Sequence, residues 1–139
     1  MTDYTTASHT VFENQYHIVW ITKYRYPILH GDVRLRAREI IRRACAQIGV
    51  EIISGVLSHD HVHLFVSVPP KLSISDMMRT VKGRSSYLLQ KEFPVLKKRY
   101  WGRRFWARGY FCTTSGRVTR ETILQYIENH ISKPTGESR

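Results

Sequence analysis

The feature that most constrains the fold is the strict alternation over residues 58–66, which read SHDHVHLFV. Successive side chains of a β-strand point to opposite faces, so Val62 and Leu64 share one face of a predicted strand. His61 and His63 then lie side by side on the other face. Two imidazoles at this spacing could chelate one divalent ion, or they could form a hydrogen-bonded pair. In either case the chain must build a sheet with one packed face and one polar face.

The remaining elements alternate along the chain in the order strand, helix, strand, strand, helix, strand and helix. This order predicts an α+β fold: a two-layer ferredoxin/RRM-like domain with a mostly antiparallel sheet, two crossover helices and a C-terminal helix. The length of 139 residues fits a single domain, with residues 1–9 and 133–139 flexible. The predicted strands cover residues 16–21, 50–57, 62–68 and 109–114.

Apolar residues at helical spacing place the helices, and polar residues indicate where they begin. Asp32 is the predicted N-cap of the first helix. Ser73 and Asp76 form a variant of the capping box at the start of the second. Gly83 lies inside this second helix and predicts a close approach by another backbone. The last helix is predicted over residues 119–130.

The charge of the chain indicates the kind of partner. Lys and Arg total 22 against 11 acidic residues, which gives a net charge of +11 and a pI near 10.1. Such an excess implies a polyanionic partner, with nucleic acid the first choice and an anionic membrane surface the second. Basic and aromatic residues are mixed in residues 23–26 and 100–106. This mixture is typical of a surface that binds phosphates beside unstacked bases. It is equally typical of solvated cations that alternate with aromatic residues of the core.

The cysteine count and the hydropathy pattern bear on location. Cys45 and Cys112 are too few for a disulfide framework, and both occupy apolar positions expected of reduced core residues. There is no apolar run long enough to span a membrane and no secretory pattern at the N-terminus. We therefore expect a cytoplasmic protein with no membrane partner.

The predicted last helix carries a second chemical signal. Leu124, Ile127 and Ile131 form an apolar stripe, and Tyr126 lies at its edge, four residues before His130. A tyrosine hydroxyl could attack a phosphodiester, and the imidazole could join a metal site. Equally, Tyr126 could be a packing residue of an amphipathic helix.

Four short motifs occur along the chain: DHVHL at 60–64, KGRSS at 82–86, FWARGY at 105–110 and QYI at 125–127. Their order and spacing resemble those of the HUH-type single-strand DNA tyrosine transposases of the smallest bacterial insertion sequences. They also resemble domesticated relatives that process repetitive extragenic palindromes. HUH denotes histidine, a bulky apolar residue and histidine, here His61-Val62-His63. The resemblance covers nearly the whole chain.

The resemblance implies the chemistry residue by residue. Tyr126 matches the nucleophile, which would form a 5′-phosphotyrosine link and keep the bond energy for rejoining. His61 and His63 match the ligands of a divalent metal, Mg²⁺ or Mn²⁺, that polarises the scissile phosphate. The family usually has glutamine as a third ligand four residues after the tyrosine. His130 occupies that position here, and we assign it the same role.

The resemblance also implies the partners. The substrate would be single-stranded DNA that folds hairpins at the element ends. The protein would act as a homodimer in which the tyrosine helix of one subunit completes the histidine site of the other. Basic residues along the chain are the predicted DNA contacts. They are Lys23, Arg25, Lys82, Arg84, Arg103, Arg104 and Arg108.

Three other functions remain open on the sequence. A non-catalytic RRM-like nucleic-acid-binding module explains charge and topology, but not His61, His63 and Tyr126 together. Plasmid relaxases place the tyrosine before the histidine pair, and rolling-circle initiators usually place a lysine near the tyrosine. A small zinc hydrolase using His61, His63 and His130 would bind zinc and form no covalent DNA adduct.

Overall fold

The computed structural model describes residues 14–96, 104–114 and 120–129. Within these ranges the elements follow the predicted order, and a 3₁₀ turn, Lys23–Arg25, follows the first strand. No helix among them has the length and apolar character needed to cross a membrane. The strands are β1 (Gln15–Ile21), β2 (Glu51–Leu57), β3 (His61–Ser67) and β4 (Phe111–Thr114). The helices are α1 (Gly31–Gln47), α2 (Ile74–Glu92) and α3 (Arg120–Asn129).

The four strands form one antiparallel sheet in the order β2-β3-β1-β4. Because β3 lies between β1 and β2, the connection through α1 crosses over β3. The connection from β3 to β4 through α2 crosses over β1 in the same way. This interleaved arrangement is the ferredoxin/RRM-like topology, so the predicted α+β class is confirmed.

The main core lies between the sheet and the two crossover helices. Ile18 and Trp20 of β1 pack there with Val62 and Leu64 of β3, and all four are almost completely buried. Burial of apolar surface, at roughly 25 cal/mol per Å², holds both helices to this face of the sheet. The helices contribute Ala37, Ile40, Ile41, Ala44, Cys45, Met77, Met78, Val81 and Leu89.

The two crossover helices begin differently from each other. At the start of α2, the backbone N–H of Asp76 donates to Ser73 Oγ at 3.1 Å, which confirms Ser73 as the N-cap. At α1, His30 is the residue before the helix and Asp32 already lies in the first turn. The prediction of Asp32 as N-cap was therefore wrong. Its carboxylate instead lies where the helix dipole favours negative charge.

Gly83, inside α2, does not mark the predicted close approach of another backbone. A Cβ built on Gly83 would meet nothing within 4 Å, so no backbone approaches it closely. Gly83 faces an open groove instead. The close approach occurs in β2, where a Cβ on Gly55 would lie 2.7 Å from Leu64 Cδ2. Leu64 is a buried core residue, so the lack of a side chain at Gly55 is a packing requirement.

These two glycines give opposite stability predictions. Gly55→Ala should lower the free energy of unfolding by about 1–3 kcal/mol, because the new methyl group must displace a packed leucine. Gly83→Ala, the matched control, should raise it by about 0.5–1 kcal/mol through higher helix propensity. Urea denaturation followed by circular dichroism measures both. Equal stability of the Gly55→Ala variant and the wild type would contradict this packing argument.

Candidate functional site

The site is built on the sheet face opposite the crossover helices. β1 and β3 are paired so that Val19 lies opposite His63 and Ile21 lies opposite His61. Both histidines are partly exposed, whereas Val62 between them is fully buried on the other face. The predicted segregation of an imidazole pair from an apolar stripe is therefore confirmed.

A buried carboxylate orients the first histidine. His61 Nδ1 lies 2.9 Å from Asp60 Oδ1, and Arg25 Nε donates to Asp60 Oδ2 at 3.3 Å. Burial by itself raises the pKa of Asp60. The hydrogen bond from His61 and the nearby charges of His61, His59 and Arg25 outweigh it and lower that pKa below its usual value. An ionised Asp60 fixes the proton of His61 on Nδ1, which leaves Nε2 as an electron-pair donor.

A third histidine, His17 of β1, contacts the second member of the pair. Its Nδ1 lies 3.1 Å from His63 Nε2, and its ring stacks on Phe65 at 4.4 Å between centroids. Burial lowers the pKa of His17, and burial followed by the charges of His17 and His61 lowers the pKa of His63. The sequence analysis missed His17. The register of β1 against β3, which would have revealed it, depends on tertiary structure.

The donor set fits a divalent metal in part. Two imidazoles on one face, one of them bonded to a carboxylate, resemble the usual arrangement of histidine ligands with an outer partner. No cluster of three His, Cys, Asp or Glu side chains suited to a metal occurs within the described residues. The third predicted ligand, His130, lies outside them. Within the described part of the chain, His61 and His63 are the candidate ligands.

The predicted nucleophile packs on the histidine face of the sheet. Tyr126 of α3 forms a small apolar cluster with Val19, Ile21 and Ile127. Its ring lies 5.4 Å from that of Phe111. Burial raises the pKa of Tyr126 to about 12, so the hydroxyl is protonated at neutral pH. Val19 and Ile21 are the cross-strand neighbours of His63 and His61, so Tyr126 packs on the strand that pairs with the one carrying the two imidazoles.

The orientation of α3 differs from the prediction. The sequence predicted a stripe that includes Leu124, with Tyr126 at its edge. Leu124 is 47% exposed, whereas Tyr126 is 9% and Ile127 3% exposed. The helix is turned toward its aromatic side because Tyr126 packs against Phe111 and the apolar end of β1. Ile131, the last predicted member of the stripe, lies outside the described residues.

Several predicted DNA contacts have internal partners. Lys82 Nζ donates to the backbone oxygens of Ala107 at 2.9 Å and Gly109 at 2.7 Å. Burial, with the charge of Arg104, lowers the pKa of Lys82 to about 8. The side chain of Arg84 donates to Gln47. The predicted contact Arg25 bonds Asp60, and Lys23 lies 5.4 Å from the ring centre of Tyr24.

The other predicted contacts border a groove beside α2. Arg104 and Arg108 line it with Arg79, and its volume is ≈ 520 Å³. Arg103, also predicted, lies outside the described residues. Phe105 and Trp106 are buried, and Trp106 Nε1 donates to Ser85 Oγ at 2.8 Å. For these two aromatic residues, the interpretation as core residues between solvated cations is correct.

Comparisons with known proteins agree on one family. The sequence profile described as "Transposase IS200 like" matches residues 10–130. The transposase for insertion sequence element IS200 of Salmonella typhimurium is 36% identical over 133 residues, which cover 96% of this chain and 87% of that protein. The ISDra2 transposase TnpA of Deinococcus radiodurans is 36% identical over 123 residues, which cover 88% of each.

Solved structures extend the comparison to the fold. A protein from Deinococcus radiodurans R1, assigned as a transposase, superposes with a TM-score of 0.78 at 34% identity, covering 86% of this chain and 90% of its own. The tyrosine transposase associated with REP sequences, solved bound to a REP hairpin, superposes with a TM-score of 0.58. The two chains are 14% identical, and the superposition covers 87% of this chain and 71% of the other. At this identity the comparison supports the fold alone. The profile match and the extent of identity show that this chain belongs to the IS200-like transposase family.

Proposed function

We propose that this transposase cuts and rejoins single-stranded DNA at insertion-sequence ends through a 5′-phosphotyrosine formed at Tyr126. One observation carries the proposal. Tyr126 packs on Val19 and Ile21, whose cross-strand neighbours are His63 and His61. The proposed nucleophile and the two proposed metal ligands therefore belong to one face of the sheet. This is the arrangement that covalent phosphoryl transfer requires.

In the proposed reaction the oxygen of Tyr126 attacks the scissile phosphorus and loses its proton. The bond from phosphorus to the 3′-oxygen breaks, and that oxygen takes up a proton to leave as a 3′-hydroxyl. A bound Mg²⁺ or Mn²⁺ would supply charge stabilisation at the phosphate. The phenol is buried in an apolar cluster that a phosphodiester cannot enter, so we expect α3 to shift when DNA binds.

The residues around the histidines would prepare the site. Asp60 holds His61 with Nε2 directed away from the carboxylate, and the hydrogen bond from His61, aided by the charges of His59 and Arg25, favours the ionised form of Asp60. His63 must exchange its contact with His17 for the metal, or bind the metal through its other nitrogen. Position 130 would add a third ligand from the residues that follow α3. We propose Mg²⁺ or Mn²⁺ because phosphate and water oxygens would complete the coordination.

The proposed DNA partner folds a hairpin at each element end, and the reaction would take place in the cytoplasm. The REP-associated tyrosine transposase, which shares this fold, was solved with a REP hairpin. In this chain the groove beside α2 offers Arg79, Arg104 and Arg108 to a folded backbone. We further propose a homodimer in which α3 docks on the partner subunit.

A second function is favoured by one observation. A buried tyrosine with a raised pKa is also what a purely structural tyrosine shows. The chain would then be a non-catalytic RRM-like module that binds nucleic acid through its basic surface. The two functions differ in whether a covalent adduct forms.

Removal of the Tyr126 hydroxyl tests the nucleophile. Tyr126→Phe keeps the ring that packs on Phe111, so the fold should persist while adduct formation falls by at least about 10³-fold. The measurement is a denaturing gel of protein with a labelled single strand carrying the ends of its own element. Tyr87→Phe, at an exposed position of α2, is the matched control and should retain the adduct. Persistence of the adduct in Tyr126→Phe would point to another nucleophile, whereas absence of any adduct with the wild type would favour the non-catalytic module.

Metal binding is measured separately from cleavage. His63→Ala should abolish Mn²⁺ binding, followed by electron paramagnetic resonance, and cleavage, while hairpin affinity stays within about twofold. Asp60→Asn should weaken Mn²⁺ binding by about 10–100-fold, because His61 loses its orienting partner. His30→Ala, an exposed histidine at the start of α1, is the control. Undiminished Mn²⁺ binding by His63→Ala would refute the site, as would weakened hairpin binding with metal-dependent cleavage retained in this variant.

Mixing two inactive variants tests the trans dimer. One carries Tyr126→Phe and the other carries His61→Ala with His63→Ala. In a trans dimer, each mixed dimer has one site with both defects and one intact site, so single-strand cleavage should return. Co-purification of differently tagged subunits checks that exchange has occurred. Continued inactivity despite exchange would mean that α3 acts on its own sheet, where it packs in this structure.

A further inference from the structure

Three arginines of α1 form a surface that the functions above do not use. Arg34, Arg38 and Arg42 are spaced four residues apart, so they follow one side of the helix. All three are exposed. Within the described residues, their side chains make no ion pair and no hydrogen bond. We call these three residues the arginine stripe.

Other arginines of the same helix are neutralised by acidic neighbours. Arg36 bonds Glu92 through two nitrogens, at 2.6 and 2.9 Å, and also contacts Glu39 at 3.0 Å. Arg43 contacts Glu39 at 3.2 Å. The uncompensated positive charge of α1 is therefore concentrated on the arginine stripe. This asymmetry gives the helix one side suited to an anionic partner.

The arginine stripe borders the edge strand β2. Arg34 and Arg38 line a groove of ≈ 500 Å³ together with Gly55 and Val56. Arg38 and Arg42 line a second groove of ≈ 170 Å³ with residues of the same strand. Gly55 lines both grooves. Both grooves place cations beside an edge of the sheet.

The same edge strand leads to the histidine site. Val56 is the cross-strand neighbour of His63 and is 56% exposed. A strand of DNA leaving the imidazole pair in this direction would pass over Val56 and reach Arg34 and Arg38. The three arginines span about 12 Å along the helix axis, from a rise of 1.5 Å per residue.

We propose that the arginine stripe binds the sugar–phosphate backbone of the single-stranded DNA that leaves the histidine site over β2. The proposal rests on the proposed function, and it adds a surface on a different element from the groove beside α2. Guanidinium groups suit this task because their planar fork pairs with phosphate oxygens. DNA is favoured over an acidic protein because Val56 lies both beside His63 and in the groove that Arg34 and Arg38 line.

The test compares two arginines of one helix that differ in their partners. Arg38→Ala removes the cation common to both grooves, and Arg43→Ala removes an ion-paired cation with the same change of charge. Both are made in a Tyr126→Phe background, so that binding is measured without cleavage. The probes are a bare hairpin and the same hairpin with a 5′ or a 3′ single-stranded extension. Circular dichroism verifies the fold of each variant.

Arg38→Ala should weaken binding of one extended probe by about three- to tenfold, while Arg43→Ala and the bare hairpin change by less than about twofold. The combined Arg34→Ala, Arg38→Ala and Arg42→Ala variant should lose at least about tenfold. Its slope of log affinity against log salt should fall by about 2, at roughly 0.7 per single-strand phosphate contact. Equal affinities of the Arg38→Ala and Arg43→Ala variants for both extended probes would overturn the proposal.

Two further measurements separate the possible failures. Loss of binding to phosphatidylserine vesicles, with DNA affinity unchanged, would assign the stripe to a membrane and overturn the proposal. Adduct formation by the protein with Tyr126 intact reports on the proposed function independently. If no adduct forms but the arginine stripe variants lose affinity for the extended probe, the surface stands and only the catalytic proposal fails.

Discussion

The two-sided packing of β3 is the constraint on which the rest of the structure depends. Val62 and Leu64 are buried beneath α1 and α2, and the pleat of the strand then places His61 and His63 on the opposite face. A shift of one residue in register would bury both imidazoles and expose the core. The hydrophobic effect that holds the helices to the sheet therefore also fixes the position of the histidine pair. In this domain, stability and site geometry have the same origin.

A network of polar contacts orients His61, whose position is set by the sheet. The backbone N–H of Thr22 donates to the backbone oxygen of Asp60 at 3.0 Å, which ties the loop before β3 to the end of β1. Tyr24 and Arg25 both have positive φ, at 57° and 55°, a conformation unfavourable for residues with side chains. This conformation accompanies the bond from Arg25 to Asp60, whose carboxylate in turn holds His61. The strained turn is thus part of the support of the candidate site.

The basic residues serve at least two purposes that composition cannot separate. Lys82 is bonded to two backbone oxygens, and Ser85 accepts from Trp106, so the motif at 82–86 holds the segment that precedes β4. By contrast, the side chains of Arg34 and Arg38 on α1 form no ion pair with any described residue, and sequence reasoning did not select them. A net charge of +11 indicates an anionic partner. Which cations remain available to that partner depends on the pairing of the others.

The sequence by itself determined the order of the elements, the α+β topology and the separation of His61 and His63 from the core, because local periodicity encodes these features. The motifs also indicated the family that the comparisons show. Only the tertiary structure decided that His17 meets His63 and that Tyr126 turns inward. Both depend on contacts between residues far apart in the chain: strand register for His17, and docking against Phe111 for Tyr126. Periodicity along one element carries no information about such partners, so these contacts could be identified only from the tertiary structure.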